Sequence, residues 1–471
     1  MSSDSRMLPS EATFRGKRLF PLYFSPIESL FIADDRPDYP MAFIVQMTFS
    51  GNVNRAAFDE ALPMALERHP LLKSHRQLAK KGLPCWVPAS DIMPVVDWGN
   101  EGDSIELPHG ESINLEKEVG LRIWIREGSG TTTMTTQFHH SCCDGIGGYR
   151  FIGDLLALYG QRCSSDPSNY ELASLDPELL RNRKMRMTEY AFRGKTWPLH
   201  LRCWKECAKL FRRKISPLTP ATDAAVAADA FPKTSRSEFP YPQIVVSSFD
   251  RETHARLSHA ANEFQFGLND WLIAALFKTL QDWNAQHKSP TNRGWMRIMM
   301  PTDMRDAEDY GMPAANIVSY TFLVRSVRDS YSAKALCPGI CRETALIKKE
   351  RRGLLFGDML GGAMQFRWLL PLMASAKRCL ATAVLSNAGD PSKRFIAKLP
   401  RSKGRIVAGN LILENITGVP PLRINTHVSI SIITYMRKLE ICLRCCPRKF
   451  SAADARRLSD MYTESIRELL E

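Results

Sequence analysis

The residues best placed to do chemistry are His139 and His140. They lie in the run Phe138-His139-His140-Ser141-Cys142-Cys143-Asp144-Gly145-Ile146-Gly147-Gly148. A neutral imidazole has its ordinary pKa close to neutral pH, so a histidine held on a rigid support suits removal of a proton from a hydroxyl or amine. Asp144, four residues beyond His140, is placed either to orient the ring or to lock the turn. Cys142 and Cys143 stand between them, and a nucleophilic thiol beside His140 is a further option. The plainer reading is a buried histidine pair that closes a strand with an Asp-Gly turn.

The flanking elements favour the chemical reading. Leu121, Ile123 and Ile125 alternate as in a strand, Gly128 to Gly130 forms a turn, and Thr131 to Phe138 is a Thr-rich second strand. After the glycines, Phe151, Ile152, Leu155, Leu156 and Leu158 recur at helical spacing between Tyr149 and Tyr159. The histidines thus end a strand, and a Gly-rich turn carries the chain into a helix.

This motif resembles that of the CoA- and carrier-protein-dependent acyltransferases. These include condensation domains of nonribosomal peptide synthetases, wax ester synthase/diacylglycerol acyltransferases, and polyketide-associated and alcohol acyltransferases. Further segments resemble the family in order. Pro21 to Ile32, with Glu28 at an acidic position, is similar to the opening of wax ester synthases. A strand from Met41 to Phe49, a helix from the cap Asn54 to Arg68, and Arg68-His69-Pro70 follow, with His69 read as structural. Asn269 to Leu276, Pro301-Thr302-Asp303-Met304-Arg305 with the later Asn316, and Ser386-Asn387-Ala388-Gly389 continue the likeness. Gly418 to Pro421, the strand Val428 to Tyr435 and the helix Ala452 to Leu470 close it. The plant BAHD branch is unlike this chain, which lacks its Asp-Phe-Gly-Trp-Gly segment.

The resemblance implies an α/β protein of two similar chloramphenicol-acetyltransferase-like halves, each a mixed sheet with helices, with an active-site tunnel between them. The expected divisions are 1–180 with the histidine motif, 181–242 as basic helix and linker, and 243–471. It implies acyl transfer from acyl-CoA or a carrier-bound phosphopantetheine thioester to a hydroxyl or amine. The motif residues His140, His139 and Asp144 form the catalytic group, with His140 as base. Asp144 is expected to turn away and pair with Arg305. Gly145, Arg305 and Asn316 support the turn or an oxyanion, and Ser386 and Asn387 line the substrate cleft. No metal and no bound cofactor are expected. Other readings are a free-standing condensation enzyme working on a carrier protein, a wax ester and triacylglycerol synthase, and a non-catalytic lipid- or carrier-binding relative.

Composition bounds the rest. At 471 residues with 44% apolar and 24% charged residues, the chain is an ordinary globular protein of two or three domains. Met1 to Phe20 has no apolar core of a signal peptide. Phe366 to Leu385 is interrupted by Pro371, Lys377 and Arg378, short of the roughly 20 clean residues a span needs. A cytoplasmic protein is expected. The net charge is +13, and Arg181 to Lys214 contributes 12 Lys or Arg against 2 acids. Within it Trp197 to Ile215 reads as a basic amphipathic helix, either packed between halves or touching an anionic lipid surface or acidic carrier. Nucleic acid is not an expected partner, for want of a recognised module. Twelve cysteines fall into no strong metal spacing. Cys442 and Cys445 point to opposite faces of a strand, and Cys203/Cys207 with Cys337/Cys341 make only a possible zinc set.

Overall fold

The computed structural model describes residues 19–79, 82–184, 210–221, 240–287, 294–327, 332–364 and 378–471. The alternating residues around the histidine pair form the middle of the largest of three sheets among the described residues. The first part of the chain supplies Leu22–Tyr23 (β1), Ala42–Ser50 (β2), Ser74–Leu78 (β3), Pro84–Pro88 (β4), Val95–Asn100 (β5), Leu121–Glu127 (β6) and Thr131–His139 (β7). Its helices are Pro26–Asp34 (α1), Arg55–Arg68 (α2) and Gly145–Cys163 (α3). The second part supplies Val245–Phe249 (β8), Trp295–Asp303 (β9), Val318–Ser326 (β10), Ala383–Gly389 (β11), Arg401–Ser402 (β12), Arg405–Ala408 (β13), Leu411–Val419 (β14), Val428–Tyr435 (β15) and Lys438–Cys445 (β16). Its helices are Arg251–Glu263 (α4), Leu268–Gln286 (α5), Ala333–Lys349 (α6), Gly353–Met364 (α7) and Ala452–Arg467 (α8).

A seven-stranded sheet runs β12-β13-β14-β2-β7-β6-β5 and a six-stranded sheet β10-β9-β11-β15-β16-β8. Both are mixed: β5 with β6 and β11 with β9 and β15 are parallel, amid antiparallel pairs. The division at 243 therefore does not follow the sheets, because β12 to β14 leave the second part to extend the sheet of the first. The physical reason is an edge. β7 covers one side of β2, and β14, with Leu411, Leu413 and Ile416 buried, pairs along the other and removes its open row of N–H and C=O groups.

Two buried helices carry the cores. In the first, α3 lays Phe151 edge-on to Phe138 of β7 at 6.0 Å. In the second, the largely buried α5 places Trp271 against α8, its Nε1 donating to the Ile466 carbonyl at 2.9 Å, so the indole's one polar atom is satisfied. The short helix α1 is pinned at both ends. Ser25 and Glu28 form a reciprocal cap, and buried Glu28 also accepts from Trp86 Nε1 (3.2 Å) and Arg183 Nε (2.6 Å). At the other end Asp34 pairs with buried Arg423.

Candidate active site

β7 ends at His139, and strand alternation sends His139 and His140 in opposite directions. The His140 N–H donates to the Met41 carbonyl at 2.7 Å, which extends the β2–β7 ladder one step past the strand. Its ring lies 4.2 Å from that of Phe31 on α1 and 5.2 Å from that of Phe43 on β2. Only 8% of the residue is exposed, and Nδ1 is sealed without a hydrogen-bond partner. Burial pulls the pKa down to about 4, against the opposing pull of its own backbone carbonyl and of the Asp144 charge. His140 is thus neutral at physiological pH. His139 is held behind the turn: its Nδ1 accepts the Ser141 N–H (3.1 Å), and its Nε2 stands 3.5 Å from Asp35.

Asp144 faces away from the imidazole. It caps α3 by accepting the Gly147 N–H at 2.8 Å. Arg305 grips both carboxylate oxygens at 2.9 Å, and the Ile317 N–H adds a fourth bond at 2.8 Å. Burial alone would raise this carboxyl's pKa. The Arg305 charge and these hydrogen bonds outweigh it, so the group is held below its ordinary value. Arg305 is also anchored by Asp303 and by the Ala315 carbonyl. Asn316 donates to the carbonyls of His140 (2.5 Å) and Ser141 (2.9 Å). A loop of the second part is therefore stitched to the histidine turn through Arg305, Ala315, Asn316 and Ile317 in succession.

The close approach of that loop depends on Gly147. A Cβ there would sit 2.9 Å from that of Cys143 and 3.0 Å from the Ala315 backbone, whereas one on Gly145 would meet nothing within 4 Å. Gly145 thus borders open space. Cys142 and Cys143 are fully buried with their thiol pKa values pushed up by burial, which keeps them protonated and removes the nucleophile option.

No family model matches the sequence, and no curated protein does. Solved structures match over almost the whole length. The starter condensation domain of rhizomide synthetase, solved with C8-CoA and Leu-SNAC, is 12% identical, covers 96% of this chain and 95% of its own, and superposes with a TM-score of 0.63. Trichothecene 15-O-acetyltransferase from Fusarium sporotrichioides is 11% identical over 95% and 94%, with a TM-score of 0.67. Polyketide synthase associated protein 5 from Mycobacterium tuberculosis is 15% identical over 95% and 97%, with a TM-score of 0.60. The chain shares their two-lobed α/β fold.

Other residues singled out in the sequence fall elsewhere in that fold. Ser386 and exposed Asn387 lie within β11, and the Asn387 amide donates to the Asn269 side chain at 2.8 Å. Two sequence segments meet there, but no hydrogen bond joins either residue to the His140 turn among the described residues. Most of the basic stretch 197–215, and Cys203 with Cys207, lies outside the described residues. No described helix is long and apolar enough to cross a membrane. Sequence reasoning missed the side chains that touch His140, namely Phe31 and Phe43. Phe31 sits inside the noted Pro21 to Ile32 segment, but its spacing from the histidines, more than a hundred residues, carries no local signal.

Proposed function

We propose that the chain is an acyltransferase that moves an acyl group from a thioester, of CoA or of carrier-bound phosphopantetheine, to a hydroxyl or amine acceptor, with His140 as general base. The observation that carries this reading is the state of His140: neutral, at a strand end, clamped through its backbone, with Nδ1 left without a hydrogen-bond partner. With the proton on Nδ1, near the residue's own carbonyl, Nε2 keeps its lone pair for the acceptor. As Nε2 takes the acceptor proton, the acceptor oxygen or nitrogen attacks the thioester carbonyl. The C–S bond then breaks, and the imidazolium returns its proton to the departing thiolate. A low pKa suits the second half of this cycle, because an acidic imidazolium gives up its proton readily. The thioester is already activated, so positioning two substrates and moving one proton is most of the task.

His139, Asp144, Arg305 and Asn316 serve as positioning residues, holding the turn that carries His140. The open space beside Gly145 suits a pantetheine arm, and its N–H suits the oxyanion. The shared fold supports the same chemistry, since its bearers include a condensation domain solved with C8-CoA and an O-acetyltransferase. The test is incubation with acyl-CoAs of graded chain length against a panel of alcohols and amines. Acceptor-dependent release of free thiol is expected. Thiol release with no dependence on any acceptor would contradict the reading.

A further inference from the structure

A cavity of about 290 Å³ lies between β10, α7 and the end of α6. That volume is near the small end of ligand sites. Phe322 and Val324 from one face of β10, with Phe356 and Met359 from α7, give it apolar walls. Arg297 and Arg213 also line the cavity. Arg297 is only 2% exposed. Its Nη groups donate to the carbonyls of Leu380 (3.0 Å) and Leu210 (2.9 Å), and its Nε has no acceptor. Arg213 lies over the Trp295 ring at 4.1 Å.

Among the described residues neither arginine has a carboxylate within ion-pair distance. The other charged residues of the lining are already matched, Glu343 by Arg325 at 3.0 Å and Arg352 by Glu350 at 2.9 Å. Burial lowers the Arg297 pKa only to about 10, so it stays charged at neutral pH. A buried cation without a counter-ion is costly, and an anion that brings its own apolar body would relieve it. The planar guanidinium matches the plane of a carboxylate. The cavity is also separated from the His140 ring. Its wall residue Tyr320 meets Phe31 edge-on at 6.3 Å, and Phe31 in turn covers His140, so two rings intervene.

We propose that this cavity is a second ligand site, which binds a small amphipathic carboxylate through Arg297 and Arg213. The site is independent of acyl transfer, and its test does not read turnover. Octanoate, 1-octanol and octylamine are titrated against the full chain by calorimetry, with the intrinsic tryptophan fluorescence as a second readout. One octanoate per chain is expected, with octanol and octylamine weaker by about tenfold or more, the value of one charge-assisted contact. Arg297→Met also removes two bonds to the backbone. The test therefore rests on Arg213→Met, which leaves those bonds in place, and on Met359→Trp, which fills the cavity. Arg213→Met should weaken octanoate by about tenfold and Met359→Trp should abolish its binding, while His140→Ala leaves it unchanged. Octanol binding as tightly as octanoate, unchanged affinity in Arg213→Met or Met359→Trp, loss of binding in His140→Ala, or no saturable binding would overturn the proposal.

Discussion

Two histidines of this protein are buried to almost the same degree and are held in opposite ways. His69, at the end of α2, has both ring nitrogens engaged: Nδ1 accepts the Ala314 N–H at 2.9 Å, and Nε2 faces Asp154 at 3.2 Å. Arg68 completes the group by donating to the same carboxylate at 2.7 Å. His140 is gripped through its backbone, by Met41 and Asn316, while its ring rests on phenylalanines with Nδ1 unpaired. Burial lowers the pKa of both rings. A histidine whose hydrogen bonds are saturated acts as a strut. One that is buried, neutral and unsatisfied costs stability, and that cost makes sense where the ring must meet something else.

Both struts and site lean on one loop of the second part. Ala314 holds His69, Ala315 and Ile317 hold the Asp144–Arg305 pair, and Asn316 holds the backbone of His140. The largest expected effect therefore comes from breaking the ion pair. Asp144→Ala leaves Arg305 without its main counter-charge and should cost about 3–5 kcal/mol. Activity should fall with it. A double-mutant cycle with Arg305→Ala, scored by unfolding free energy, measures the coupling, and strictly additive losses would contradict the pairing.

Acid should separate the groups next. The folded pKa of His140 lies below its unfolded value of 6.5, at about 4, so the unfolded chain binds more protons across that interval. Its contribution is fully present above pH 6.5 and is lost as pH falls toward 4, to the extent of about 3 kcal/mol. His69 acts in the same direction below 6.5. Asp144, whose pKa is depressed below 3.8, begins to lose its contribution only under more acidic conditions. Stability measured from pH 7 to pH 4 should thus fall less steeply in His140→Ala than in the wild type. Equal slopes would mean that the ring is not buried neutral.

How much of this was legible in the residues depends on range. The hairpin β6–β7, the cap Asn54 and the helix after the glycines are local, and periodicity or side-chain type announces them. The histidine pair and the order of the weaker segments pointed to the two-lobed fold that the solved structures share. The aromatic wall around His140 was not legible, since Phe31 and Phe43 look like any core phenylalanine until the fold brings them 4–5 Å from the ring. Nor was the return of β14 to β2, because strand pairing at long sequence separation leaves no trace in composition. The glycines show the same limit: which of Gly145 and Gly147 needs to be glycine is decided by Ala315, far away in the chain.

A smaller effect sharpens the aromatic side of the comparison. Phe31→Leu keeps an apolar cover but gives up the ring contact and part of the desolvation, so the His140 pKa should rise toward its ordinary value of 6.5. The shift should be readable in the acid limb of kcat/KM, with a destabilisation of about 1 kcal/mol for the lost volume. An unchanged acid limb would show that Phe31 does not set the environment of His140.

The most direct test compares His140→Ala with His69→Ala, with each protein assayed for acceptor-dependent thiol release and for unfolding free energy. His140→Ala should lower transfer by roughly 10²–10⁴-fold and lose little stability. His69→Ala should lose about 2–3 kcal/mol through its broken hydrogen bonds and cavity, while the molecules that remain folded keep most of their turnover. Wild-type transfer by His140→Ala would contradict the role of His140 as general base.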